Sequence, residues 1–224
     1  PLQIITGLSE RILSLAPKNG MPPEKMVEDA ATINRNAWRI ATIIRSLLSY
    51  ARANQEDYLP EDLSKIVEDT LQLIEYQLRT RDTISVVKEL ESSMPPCTCN
   101  ASSISQVLIN LLTNAGDAMA FTGGQITIRT RYDPEEQRFL LQVADSGEGI
   151  PASVNDKIFD PFWTTKEVGK GSGLGLSVSL GIVQAHGGEL SVESKPGRGA
   201  TFTVWLPEKP PTARLTQKNG MGRY

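Results

Sequence analysis

Asp145 closes an apolar run and opens the segment Asp145-Ser-Gly147-Glu-Gly149-Ile-Pro. A carboxylate at a strand end accepts a hydrogen bond from an exocyclic amine such as adenine's, and flanking glycines let backbone approach a ring closely. The same residues also read as a turn capped by its own aspartate. A second segment, Gly169-Lys-Gly171-Ser172-Gly173-Leu174-Gly175-Leu176, runs into an apolar helix. Backbone N–H groups at a glycine-rich helix start form an anion site suited to phosphates, and a flexible loop is the plainer reading. The run does not follow a strand as a dinucleotide-binding loop does, and Lys170 precedes the glycines instead of forming Gly-Lys-Ser/Thr. A third group is Asn110, Asn114 and Asp117, spaced four and three so that they share a helix face. Side-chain carbonyls there are hard oxygen ligands of the kind magnesium takes beside phosphates and water. A half-exposed polar face is the plainer reading of that group.

These residues need elements to hold them. Leu63, Ile66, Val67, Thr70, Leu71, Ile74 and Leu78 recur at helical spacing, and Val107, Leu108, Leu111 and Leu112 mark a helix over 102–119. Residues 83–90, 125–132 and 138–144 read as strands, the last two joined by a turn at Asp133-Pro134. An irregular glycine-rich stretch over 145–175 leads to a helix over 176–186, and strands over 188–194 and 200–206 follow. The spacing therefore predicts an α+β fold, a two-layer α/β sandwich over about residues 60–207. The polar stretch 208–224 has no apolar period and is expected to be a disordered tail.

The first 56 residues are different. Met26, Ala30, Ile33, Ala37, Ile40, Ile44, Leu47 and Ala51 alternate spacings of four and three, a heptad seam on a helix ending near Asn54. Pro17, Asn19, Gly20, Pro22 and Pro23 break the chain before it, and Leu2, Ile5, Ile12 and Ala16 belong to another amphipathic helix. The pair makes an antiparallel hairpin with unequal arms, roughly 24 Å against 45 Å at 1.5 Å per residue. The short arm is expected to extend upstream of Pro1. Two helices bury their seam poorly alone, so a homodimer closing a four-helix bundle is expected. Residues 54–60 read as a polar linker.

Composition excludes several classes. Apolar content of 39% and charged content of 22% suit a globular protein. A formal net charge of -3 offers no field for nucleic acid, and no apolar run of about 20 residues spans or contacts a membrane. Anchoring of a longer protein upstream stays open. Cys97 and Cys99, two apart on an extended segment, are read as reduced thiols in a cytoplasmic setting. The one histidine, His186, stands at a helix C-terminus, where a capping or dipole role is expected.

Taken in order, five segments resemble a known family. Asn110…Asn114-Ala, Asp145-Ser-Gly147-Glu-Gly149, Phe159-Asp-Pro-Phe162-Trp-Thr-Thr165-Lys166, Gly171-Ser172-Gly173-Leu174-Gly175-Leu176 and Gly197-Arg-Gly199-Ala-Thr201-Phe202 look like the boxes of sensor histidine kinases. Pro-Phe-Trp-Thr-Thr-Lys with His186-Gly-Gly looks most like their nitrogen- and oxygen-sensing subgroup. The resemblance implies the Bergerat ATP-binding fold, with ATP and Mg2+ as cofactors. It implies that Asp145 accepts from adenine with Gly147 and Gly149 at the ring, that Asn114 binds the metal, and that Asn110 and Asp117 lie near it. Gly171, Ser172, Gly173, Leu174, Gly175 and Leu176 are placed around the phosphates, with Thr165 and Lys166 in a lid over residues 159–173; Asn110, positioning phosphate and metal, and Lys166, adding positive charge, are the implied catalytic residues. The family commonly has Thr directly after the second glycine of its third glycine box. Here that residue is Ala200, with Thr201 next to it as the available hydroxyl.

Pro1-Leu-Gln resembles the end of the family's acceptor box, which puts the phosphoacceptor histidine about five residues before Pro1. The implied activity is transfer of the γ-phosphoryl of ATP to that histidine, for relay to a response regulator receiver domain. Without that histidine the 224 residues are not expected to autophosphorylate. Hydrolytic relatives carry Glu at the position of Asn110, and a neutral amide cannot activate water. A hydrolytic ATPase and a scaffold that has lost nucleotide are the competing expectations, the second opposed by the presence of Asn114, Asp145 and the glycines.

Overall fold

The computed structural model describes residues 2–15, 24–26, 28–30, 32–33, 58–79, 83–165 and 173–210. They fall into two bodies, residues up to 33 with 164–165, and residues 58–163 with 173–210. In the first body, α1 spans Leu2–Leu15, and residues 24–26, 28–30 and 32–33 are helical. The rest of the expected heptad seam, from Ala37 to Ala51, lies outside the described residues.

The second body is built on a five-stranded sheet in the order β2-β4-β5-β7-β6. Its strands are β2 (Ile84–Leu90), β4 (Gly124–Asp133), β5 (Arg138–Asp145), β6 (Glu189–Ser194) and β7 (Ala200–Pro207). β2 runs parallel to β4, and the other pairings are antiparallel. β7 alternates buried and half-buried residues along its length, as a strand with one covered face must. Three helices cover that face: α2 (Leu63–Arg79), α3 (Ala101–Ala118) and α4 (Gly175–Ala185). Ile126, Ile128, Leu141, Val143, Phe202 and Val204 meet Leu108, Leu111 and Leu112 of α3 and Val183 of α4 in one core. This is the Bergerat two-layer sandwich.

α3 starts where it does because Asn100 caps it. The Asn100 side-chain oxygen accepts from the Ser103 N–H at 2.8 Å, satisfying an otherwise orphaned donor. Ahead of the cap lies β3 (Cys97–Cys99), paired antiparallel with β1 (Leu59–Glu61). The linker expected over 54–60 therefore ends in a strand, which Pro60 tolerates because the strand is short and at an edge. Both thiols are free and buried. The hydrogen bond between the two thiols, together with burial, pushes the Cys99 thiol up, so it stays protonated.

The stretch expected to be a tail also starts in ordered structure. The Glu208 N–H donates to the Gln137 carbonyl at 2.9 Å, and the Tyr132 hydroxyl donates to Glu208 Oε2 at 2.6 Å. Residues 211–224 lie outside the described residues. Among the described residues, no helix is long and apolar enough to cross a membrane.

Candidate functional site

Asp145 is the last residue of β5, and the strand pairing fixes its direction. It lies opposite Ile126, a core residue of β4, so its side chain is on the helix-covered face. Its Oδ1 accepts from the Gly147 N–H at 2.9 Å and the Ala200 N–H at 3.3 Å. Burial pushes the Asp145 carboxyl above the ordinary aspartate range; the two N–H donors pull it back in part, and Glu148 adds a small upward push. One oxygen is thus anchored to backbone, and the orientation of the other is set.

The glycines around it are needed for close approach. Gly149 has φ +71°, and a Cβ there would lie 2.2 Å from the Lys195 carbonyl oxygen. Gly199 has φ +76°, and a Cβ there would lie 1.8 Å from the Asp145 carbonyl oxygen. The turn after β5 and the turn before β7 are therefore stacked backbone on backbone, joined by the Gly197 N–H donating to the Glu148 carbonyl at 2.7 Å. Gly147 sits against the C-terminal end of α3, whose Ala118 carbonyl accepts from the Glu148 N–H at 3.4 Å. That contact brings the Asp145 turn to the helix bearing the two asparagines.

On α3, Asn110 is buried, and Asn114 and Asp117 are half-buried one and two turns further on. Asn110 Nδ2 donates to the Gly175 carbonyl at 3.0 Å and to Ser179 Oγ at 3.1 Å. Its Oδ1 accepts from Gln106 Nε2 at 3.0 Å. Gly175 opens α4 and Leu174 is its N-cap, so the first N–H groups of α4 start beside Asn110. Gly173 has φ +66°, and its carbonyl accepts from the Phe162 N–H at 2.9 Å. That bond ties together the two ends of the expected lid. Lys166, Gly171 and Ser172 lie outside the described residues, and Thr165 is exposed and does not group with this body.

One expectation needs correction. Thr201 pairs with Ala144 and so shares the far face of the sheet with Thr203, opposite Asp145. Side chains alternate along a strand, and the residue on the Asp145 side is Ala200. Thr201→Val should accordingly change nucleotide affinity by no more than about two-fold in a calorimetric titration. His186 caps α4, the first of the two roles expected of it, and it does so as a neutral ring. Its Nε2 accepts from the Asn100 N–H at 3.1 Å, and Nδ1 bonds the Ile182 carbonyl at 2.8 Å. An accepting Nε2 requires neutral imidazole, and burial holds its pKa below the ordinary histidine value, against a smaller upward push from the Ile182 carbonyl.

A half-buried carboxylate anchored at a strand end lies near the end of a helix with spaced carboxamides, next to a glycine-led helix start. Residues 99–210, half of the chain, match the family described as histidine kinase-, DNA gyrase B-, and HSP90-like ATPase. The chain belongs to that family. Its catalytic domain is of the sensor histidine kinase type. The sensor kinase CckA of Brucella abortus is 39% identical over 194 residues, covering 80% of this chain and 20% of that protein. AtoS, a signal transduction histidine-protein kinase of Escherichia coli, is 37% identical over 172 residues, or 76% of this chain and 27% of AtoS. The sensor histidine kinase ZraS of the same species is 31% identical over 99% of this chain and 44% of its own length. The chain thus spans less than half the length of these curated relatives.

Among solved structures, the catalytic domain of histidine kinase ThkA superposes with a TM-score of 0.61 at 30% identity, covering 69% of this chain and 98% of that one. ThkA in complex with the response regulator protein TrrA gives 0.70 at 27% identity, over 92% of this chain and 58% of that chain.

Sequence reading missed Ser179 and Gln106. The run Leu176–Val183 carries two serines, Ser177 and Ser179, and only packing against α3 distinguishes the second.

Proposed function

We propose that this chain is the ATP-binding core of a protein-histidine kinase, which binds Mg-ATP and passes the γ-phosphoryl to an imidazole. The observation that carries the reading is the state of Asn110. Where hydrolytic relatives have a carboxylate that activates water, this chain holds an amide whose two protons are committed to Gly175 and Ser179. Such a group takes no proton from water, so transfer to a better nucleophile is favoured over hydrolysis.

On this reading Asp145 accepts from the adenine amine, with Gly147 and Gly149 at the ring. Gly171, Ser172, Gly173, Leu174, Gly175 and Leu176 surround the phosphates, and Thr165 and Lys166 belong to the lid. The carboxamide of Asn114, with Asp117 near it, fits a hard cation, and magnesium there would offset phosphate charge. Residues 1–56 form the dimerisation hairpin, in a cytoplasmic setting, and a response regulator receiver domain takes the phosphoryl group onward. ThkA, which this chain resembles, has been seen with such a partner.

The acceptor is not His186. That residue is 3% exposed, and its Nε2 is filled by the Asn100 N–H. Incubation of the 224-residue chain with γ-labelled ATP should leave it unlabelled. Label on His186 would overturn this part of the reading. A titration with a non-hydrolysable ATP analogue and magnesium should show one site per chain, together with slow release of free phosphate from ATP. Rapid steady-state hydrolysis would favour the hydrolytic ATPase instead.

A further inference from the structure

We propose that Ser179 and Gln106 are positioning residues of the nucleotide site, acting through Asn110; this deepens the reading above and rests on it. Ser179 is fully buried, in the second turn of α4, between α4 and α3. A buried hydroxyl is costly unless it is satisfied on both sides. Here Oγ donates to the Gly175 carbonyl at 2.9 Å and accepts from Asn110 Nδ2 at 3.1 Å.

That arrangement leaves the Asn110 carboxamide one orientation. Ser179 Oγ has used its only proton on Gly175, so both atoms facing Asn110 from α4 are acceptors. Only the amine end can sit against them. The carbonyl end must turn the other way, where Gln106 Nε2 donates to it at 3.0 Å. Gln106, Asn110 and Ser179 thus form one directional chain of hydrogen bonds running from α3 into the first turn of α4.

The two helices joined in this way carry the two halves of the phosphate site. α3 bears Asn114, one turn beyond Asn110, and α4 begins at Gly175 with its first N–H groups. The bonded chain sets the spacing between the metal-side carboxamide and the N–H cradle. It also explains the amide at position 110: a carboxylate would meet the lone pairs of the Gly175 carbonyl with no proton to offer. The separation of the two halves matters for a triphosphate with its metal, and it does not matter for adenosine, which reaches only the Asp145 end.

The test is titration of the whole chain, and of its Ser179→Ala and Gln106→Leu variants, with Mg-ATP analogue and with adenosine. Each variant should lose roughly three- to ten-fold in affinity for Mg-ATP analogue while adenosine affinity stays unchanged. The double variant should lose less than the product of the two, because both act on one carboxamide. Equal loss for both ligands would make the hydroxyl a packing contact only and overturn the inference, as would unchanged Mg-ATP affinity in both variants. If the unsubstituted chain bound no Mg-ATP analogue, the nucleotide reading itself would fall and the inference with it.

Discussion

Asp145→Asn is expected to weaken binding of a Mg-ATP analogue by at least about 100-fold while leaving the chain folded. The carboxylate has two tasks, and asparagine performs one of them. Its carbonyl can take the place of Oδ1 and keep the Gly147 and Ala200 N–H groups satisfied. The amide nitrogen then occupies the other position, where on the proposed reading the adenine amine is received, so donor meets donor. A site built to accept a proton discriminates strongly against a partner that leaves polar groups facing without a bond. Calorimetric titration measures the loss, and an affinity within about three-fold of the unsubstituted chain would remove Asp145 from the site and favour a scaffold.

The stability of the same variant is expected to move the other way. Burial raises the Asp145 carboxyl above its ordinary range, which means that the folded chain prefers the protonated form. The stability from this group is fully present below the unfolded value and is lost as pH rises through the raised folded value. At neutral pH the ionised carboxylate is therefore a burden on the empty fold. Asp145→Asn should melt no lower than the unsubstituted chain at pH 7, and its stability should not decline across that window. Nucleotide affinity of the unsubstituted chain should weaken on acidification at a higher pH than an exposed aspartate would give. The variant should show no such step.

What was legible in the chain follows physical range. α3 could be placed because Val107, Leu108, Leu111 and Leu112 repeat at helical spacing, which is a local signal. β1 could not, because three residues including a proline show no period; only the pairing of Leu59 with Cys99 makes them a strand. The shared face of Asn110 and Asn114 follows from helix geometry. That Asn110 fastens α4 does not, because Ser179 is 69 positions away and only tertiary packing brings it near. The Thr201 placement failed by a single position of register, since one residue along a strand reverses the face. His186 was placed at its helix end correctly, but its charge state depends on Asn100, 86 residues earlier.

Gly199→Ala should cost about 3–5 kcal/mol of stability, lowering the melting temperature by roughly 10 °C, and should abolish measurable ATP binding. Gly197→Ala, two residues away, supplies the control. Both glycines have positive φ, +73° at Gly197 and +76° at Gly199, so alanine at either pays a backbone penalty of about 1–2 kcal/mol. The surroundings differ. Gly197 has nothing within 4 Å of the added carbon, whereas at Gly199 that carbon would fall 1.8 Å from the Asp145 carbonyl oxygen. That neighbour is backbone of the residue proposed to receive adenine, so it cannot swing aside as a side chain would. Relief requires the β5 end and the β7 start to separate, which withdraws the Ala200 N–H from Asp145. A shift of about 1 Å in the anchoring carboxylate is enough to lose a hydrogen-bonded ligand. Gly197→Ala should therefore lower stability modestly and keep nucleotide affinity, while Gly199→Ala loses both. If the two variants melted together and bound nucleotide alike, the stacked turns would not be what holds Asp145 in place.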